Sequence, residues 1–454
     1  MRDYTHQQEV VGMTVTRRTF IAGVTAFTLA QEALSAGKPT KGGSTFYETS
    51  GKASDFLLCR RLYIDLAGRV PTPAEARAFV NAKDSHKLEN LVDKLLGSYD
   101  FGDYWAMRYC DILRVKAEYP INLWPNAVYV YHRRIRQSIL DDEPWPDFAR
   151  ALLCARGSNF RIPETNFLRA SAQHSPEAIS EAATMTFLME PTTKYSYYFS
   201  RVGFKSTKEW KEEIVYLKDG PEDAVPEGFM DELEGPLKSK FVSTPVRRVY
   251  YWLFDSWPRQ GRVDELVGVY RKNGFRLKPL LRHICLSSDY KAGPLRGKFP
   301  ARRLDAEVLD DAICSITGAE HKFSSLAPEP YTFIPPRRKA VLVEDGSITS
   351  AFLMLFGRPA RDTGAMEERK NEITQKQRLY LYNSASIWNA LGRFEKDEAF
   401  ASLGHAAQVE ELFMRFLSRP PTKEELALVD PNGKSKARDI AWFLINSYEF
   451  LYRI

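Results

Sequence analysis

Cysteine and histidine are scarce in this 454-residue chain, at 5 and 7 residues. Cys59, Cys110, Cys154, Cys285 and Cys314 are odd in number and widely separated, so they give no disulfide framework and read as single buried thiols. His132, His174, His283, His321 and His405 are scattered, with no two at ligand spacing on one helix, so no metal site is expected from them. H-E-x-x-H, G-x-x-x-x-G-K-[ST], G-x-S-x-G and G-x-G-x-x-G are all absent. That removes the zinc-protease, P-loop, serine-hydrolase and dinucleotide-binding readings. No run approaches ~20 apolar residues, which excludes a transmembrane span. Charge of one sign is missing too: 64 Lys+Arg against 58 Asp+Glu leaves +6. That is mildly basic and short of a dedicated nucleic-acid binder, so no specific nucleic acid is expected.

What is present is an ordinary globular composition, 44% hydrophobic and 27% charged, long enough for two domains. The N-terminus stands apart. Thr16-Arg17-Arg18-Thr19-Phe20-Ile21 sets paired arginines before the apolar run Phe20 to Ala30, with small residues at Ala33, Ser35 and Ala36. This pattern predicts a twin-arginine-like signal peptide over residues 1–36 and a periplasmic or extracellular protein. Arg2, Arg17 and Arg18 balance Asp3, Glu9 and Glu32, so removing the signal leaves the net charge unchanged. Residues 37–52 are Gly/Ser/Lys/Thr-rich and read as a flexible leader.

Helical periodicity dominates from Ala53 onward. Phe56, Leu57, Cys59, Leu62, Tyr63 and Leu66 recur at three- and four-residue steps, as do Leu88, Leu91, Val92, Leu95 and Leu96. Thr72-Pro73-Ala74-Glu75 has the form of a capping box with proline at the first helical position. Further helices are expected at about 126–140, 146–155, 176–188, 305–317, 376–391, 406–417 and 437–448, and a strand at Lys339–Val343. The class is mainly α: two helical lobes with related helix-turn-helix ends and at most a short β element. The divisions are an N-terminal helical domain at 53–189, a linker or excursion at 190–240 and a C-terminal helical domain at 241–454.

An internal repeat supports the two lobes. Leu66-Ala67-Gly68-Arg69-Val70-Pro71-Thr72-Pro73-Ala74-Glu75 parallels Phe416-Leu417-Ser418-Arg419-Pro420-Pro421-Thr422-Lys423-Glu424-Glu425. Downstream, Leu95-Leu96-Gly97-Ser98-Tyr99-Asp100-Phe101 parallels Leu444-Ile445-Asn446-Ser447-Tyr448-Glu449-Phe450, and Ile284 to Tyr290 supplies a third copy of that segment. Each serine reads as a cap, and the acid two residues on as a partner for the next helix N-terminus.

These residues carry a resemblance. Arg61 to Glu75, Leu91 to Leu96 and Tyr104-Trp105 resemble the planctomycete cytochrome-associated domain PSCyt-two, of unknown function. Pro300 to Glu307, Gly357 to Thr363, Gln377 to Ser384 and Leu444 to Phe450 resemble its usual companion, PSD-one. The resemblance implies an exported protein whose relatives are often fused to c-type cytochrome or carbohydrate-binding modules and tend to be encoded beside a twin-arginine-exported, sulfatase-like protein. It implies no reaction. Relatives often carry a C-x-x-C-H-type motif after a helix like 178–188, where Met189 to Phe199 here holds neither Cys nor His. Haem attachment is therefore not expected, and no cofactor is.

Two polar clusters are the site candidates. Arg302, Arg303, Asp305 and Glu307, with Asp310 and Asp311, are expected on one helix, with Arg303 facing Glu307 and Asp310 near Glu307. Arg361, Asp362, Glu368, Arg369, Gln377 and Asn383 form the second group. Arg369 and Gln377 could bind a carboxylate or sulfate in a pocket shared with the first cluster, or could clamp two helices together. Trp124, Trp145, Trp252 and Trp257 are core or sugar platforms. The expected function is an exported binding or scaffold component, partnered by a sulfatase-like protein and anionic polysaccharide. The competing reading is a hydrolase using Asp305, Glu307 or Asp362 with arginines as anion binders, and a third is metal binding by scattered histidines and acids.

Overall fold

Ser54 starts the first described helix by accepting the Leu57 amide, one of the donors a helix start leaves unpaired. The computed structural model describes residues 53–207, 211–293, 300–327 and 331–454; the signal-like segment and the leader lie outside them. The described chain is mainly α, 58% helical with 21 helices and 5% strand.

The helices are α1 (Asp55–Ala67), α2 (Pro73–Asn81), α3 (Lys87–Leu96), α4 (Tyr99–Ile112), α5 (Pro125–Leu140) and α6 (Trp145–Cys154). Strand β1 (Gly157–Ser158), α7 (Asn166–Arg169) and α8 (Pro176–Leu188) follow. Within residues 190–240 the chain forms the hairpin β2 (Val202–Ser206) and β3 (Glu213–Leu217), then α9 (Pro226–Glu234). β1 joins the hairpin as an antiparallel sheet of order β1-β3-β2. Next come α10 (Lys238–Phe254), α11 (Gln260–Lys272), α12 (Leu277–Cys285), β4 (Arg302–Arg303), α13 (Ala306–Thr317) and α14 (Ala351–Leu355). The last elements are α15 (Gln375–Asn383), α16 (Ala385–Leu391), α17 (Glu398–Ala401), α18 (His405–Leu417), α19 (Lys423–Val429), α20 (Ala437–Ile445), α21 (Tyr448–Leu451) and β5 (Tyr452–Arg453).

The sequence repeat is a repeat of structure. α1 and α18 both span 13 residues and both end in the left-handed region, at Gly68 and Ser418 (φ 61° each). A side chain is excluded at Gly68, where a Cβ would lie 2.4 Å from the Tyr104 ring. Complete capping boxes then open α2 through Thr72 and Glu75, and α19 through Thr422 and Glu425. Ser98 and Ser447 cap α4 and α21 by accepting the Phe101 and Phe450 amides. Ser287, in the third copy, donates to Ile284 O at 2.7 Å as its counterparts do to Leu95 and Leu444.

The acid two residues after Ser98 and Ser447 stands in the first turn of the next helix, as expected, and also binds an arginine. Asp100 accepts from Arg69 (2.7 Å), and Glu449 from Arg419 (2.8 Å), while each arginine also holds its capping-box glutamate from two nitrogens. The repeated unit is an arginine clamp joining two helix starts.

Three local expectations are corrected. Lys339–Val343 is no strand: Ala340–Leu342 form a 3-10 turn, because the buried Asp311 carboxylate accepts the Ala340 and Val341 amides (2.6 and 3.1 Å) that a ladder would use. The helix over 376–391 is two helices, since Ser384 ends α15 in an extended conformation and caps α16. Arg302 and Arg303 precede α13 as β4, paired antiparallel with β5 (Arg302 with Arg453, Arg303 with Tyr452).

The buried apolar side chains form one continuous core from Cys59 to Leu451, with a small satellite of Ala53, Leu57, Leu58, Tyr448 and Ile454. Among the described residues no helix is long and apolar enough to cross a membrane.

Candidate functional site

The β4–β5 pairing brings Arg302 and Arg303 beside Arg453, and α13 starts under them with Asp305 as its N-cap residue and Glu307 in its first turn. Asp305 is buried on every side. It accepts Tyr104 Oη (3.0 Å), Arg302 Nη1 (3.3 Å) and Asn371 Nδ2 (3.1 Å), and pairs with Arg108 from α4. Burial alone would raise this carboxyl, yet Arg108, Arg302 and Arg369 hold it well below the usual carboxylate range. Glu307 is also fully buried. Burial opposes its charge, but Arg369 donates to both its oxygens (2.7 and 3.1 Å) and lowers it. Arg369 reaches on to Asp111 of α4 (2.7 Å), where Arg361 donates to the other oxygen at 2.9 Å. Arg453 closes the far side on Asp65 of α1, with both contacts at 3.1 Å.

The two sequence clusters therefore meet through Arg302, Asp305, Glu307, Arg361 and Arg369. Arg303 adjoins them but does not face Glu307; it donates to the Leu304, Phe356 and Lys370 carbonyls. Asp310 turns to His321, not to Glu307. The other nominated residues lie elsewhere. Asp362 pairs with Lys116 at 2.6 Å, and Gln377 completes a capping box with Thr374 while its Nε2 donates to Leu355 O. Asn383 is the last residue of α15. Trp145 and Trp252 are core, and Trp257 is exposed.

Arg108, Asp111, Asp65, Arg358 and Arg453 belong to the network but were not nominated from sequence. The available signal was a charge on an apolar face: Asp65 falls in step with Leu58 and Leu62 on α1, and Arg108 and Asp111 are one turn apart on α4 among buried aromatics.

Above this network lies a cleft of about 570 Å³. Arg108, Arg302, Arg303, Arg369 and Lys370 line it with Asp111, Asp255, Glu367 and Glu372, and Tyr251, Trp252 and Tyr452 supply its aromatic walls. Arg302 and Arg303 each keep a buried Nε–H with no partner among the described residues. Burial lowers Arg303 and Arg358 to about 10, still protonated at neutral pH. A second polar group lies apart: Asp310, Cys314 and His321 bring one potential ligand atom each to within 4.8 Å of one another.

The network straddles two known sequence families. Residues 43–204 match PSCyt2, Protein of unknown function (DUF1549), and residues 262–431 match PSD1, Protein of unknown function (DUF1553). The chain is a PSCyt2–PSD1 protein. Comparison with curated proteins and with solved structures gave no match. Asp65, Arg108 and Asp111 come from the PSCyt2 part, whereas Arg302, Asp305, Glu307, Arg361 and Arg369 come from the PSD1 part. Tyr251 and Trp252, on α10, lie between the two matched regions.

Proposed function

We propose that this PSCyt2–PSD1 protein is the binding component of an exported system, and that its cleft takes an anionic, hydroxyl-rich ligand such as a sulfated or uronate-bearing polysaccharide. The carrying observation is a surplus of positive charge beneath an aromatic-walled cleft. Five cations line that cleft, Arg108, Arg302, Arg303, Arg369 and Lys370, against the four acids Asp111, Asp255, Glu367 and Glu372. Guanidinium groups match sulfate and carboxylate geometry, and flat aromatic faces suit sugar rings. The twin-arginine-like Thr16–Ile21 pattern supports export to the periplasm or beyond, and a sulfatase-like partner is what the resemblance implies.

Hydrolysis through the nominated acids is the weaker reading. A general acid must carry a proton near the working pH, and Asp305 and Glu307 are held ionised with their oxygens occupied by arginine. Asp362 is engaged by Lys116 outside the network.

Calorimetric titration of the purified chain with a sulfated galactan, polygalacturonate and a neutral glucan tests the proposal. Binding is expected for the two polyanions alone, weakening with added salt. Lys370→Glu and Tyr251→Ala, at the accessible wall, should each cost about tenfold in affinity. Equal binding of the neutral glucan, or indifference to both substitutions, would overturn it. New reducing ends in the titrated mixture would restore the hydrolase reading.

A further inference from the structure

Asp310 and Cys314 stand at i and i+4 of α13, so their side chains share one face of that helix. Gly318 ends α13 in the left-handed region (φ 68°), and the chain turns back to bring His321 over the same face. His321 Nδ1 lies 2.7 Å from an Asp310 oxygen. The Asp310 carboxylate, the Cys314 sulfur and a His321 ring nitrogen are mutually within 4.8 Å. We propose that Asp310, Cys314 and His321 form a binding site for a divalent ion of the zinc class.

The donor set selects the ion. Zinc combines thiolate, imidazole and carboxylate ligands at roughly 2.0–2.3 Å, which puts neighbouring ligand atoms about 3.3–3.8 Å apart in a tetrahedron. Three protein ligands leave the fourth position for water or a small exogenous ligand. Hard cations such as magnesium and calcium avoid thiolate.

A second layer of contacts orients the imidazole. Its Nε2 lies 3.2 Å from Asp311, whose carboxylate is itself fixed by the Ala340 and Val341 amides. With an ion on Nδ1, the nitrogen beside Asp310, the Nε2–H would be left toward Asp311, the carboxylate–histidine–metal arrangement common to zinc centres. The Phe323 ring stacks on His321 at 5.4 Å with 10° between the planes. Loading sends the Cys314 proton to solvent. One dication, one carboxylate, one thiolate and one neutral imidazole then sum to zero charge.

Cys314 separates this site from a simple histidine–aspartate ion pair, which has no use for a thiol. The test is elemental analysis of the full chain purified without chelator, followed by cobalt(II) titration of the stripped protein. About one zinc per chain is expected, and cobalt should raise a thiolate-to-metal charge-transfer absorption. Cys314→Ser should abolish that absorption and weaken cobalt binding at least tenfold, with a thermal unfolding curve confirming that the variant folds. Asp310→Asn should weaken binding while keeping the thiolate band. Metal-free protein that gives no such band with cobalt, or a band that survives Cys314→Ser, would overturn the proposal.

Discussion

Arg69 and Arg419 occupy matching places in the repeat and make matching contacts at different depths. Arg69 is 27% exposed in its clamp with Glu75 and Asp100, whereas Arg419 is 5% exposed between Glu425 and Glu449. Water competes for the outer clamp, and an exposed ion pair is worth at most about 1 kcal/mol. Removing the inner arginine strands two buried carboxylates, a loss of about 3–5 kcal/mol. Urea unfolding should therefore show Arg419→Met destabilising by about that amount and Arg69→Met, which loses two partly buried pairs, by about 1–2 kcal/mol. Equal effects would mean that burial does not set the weight of the clamp. Neither arginine was nominated from sequence, although both stand inside the quoted repeat. Spacing showed the serine caps and the capping boxes, which act within one helix start. The arginine acts between two starts, and that contact depends on how the helices pack.

For a single helix, the capping box of α2 links structure to acidity. Burial alone would raise the Glu75 carboxyl, but the Arg69 hydrogen bonds and the Thr72 amide hold it at about 2. The unfolded chain has an ordinary glutamate near 4.3, so at intermediate pH it binds more protons than the folded chain. This contribution to stability is complete above the unfolded value and disappears as pH falls through the folded one. Wild type should exceed Glu75→Gln in unfolding free energy by about 1–2 kcal/mol at pH 6, after allowing for partial exposure, and the gap should close toward pH 2. A gap that stays constant across that range would show that charge plays no part in this cap. Helix starts of this kind were legible because their chemistry is local: Thr72, Pro73, Glu75 and Ser98 sit where the periodicity begins. Lys339–Val343 failed as a strand for the opposite reason. Its β-branched run is overridden by Asp311, whose carboxylate takes the backbone donors from 29 residues away in sequence. The proposed metal ligands divide the same way, with Asp310 and Cys314 one turn apart on α13 and His321 delivered by a turn that spacing does not fix.

Across the whole molecule, the beginning and end of the described chain are built into each other. Arg60 is buried at 2% exposure and donates to Phe416 O (2.9 Å), Ser418 Oγ (3.2 Å) and the Glu449 and Phe450 carbonyls (3.3 Å each). Arg61 donates to Ile454 O at 3.0 Å, and Asp65 holds both Arg453 and the Tyr290 hydroxyl. These are charges placed inside the molecule by one half and paired across to the other. Cutting the chain between the family regions would leave buried-type charges unpaired on both fragments, at a cost comparable with the whole stability of a domain. Residues 53–235 and 236–454, cut between α9 and α10, should each lack a cooperative thermal transition when produced separately, and mixing or co-expressing them should restore one along with a single species in gel filtration. A sharp melt from either fragment alone would show that the shared ion pairs dock two self-sufficient domains and do not complete one folding unit. The proposed binding cleft is divided in the same way. Arg108 and Asp111 come from one fragment and Arg302, Arg303 and Arg369 from the other, so only the reassembled pair should recover binding of the sulfated galactan.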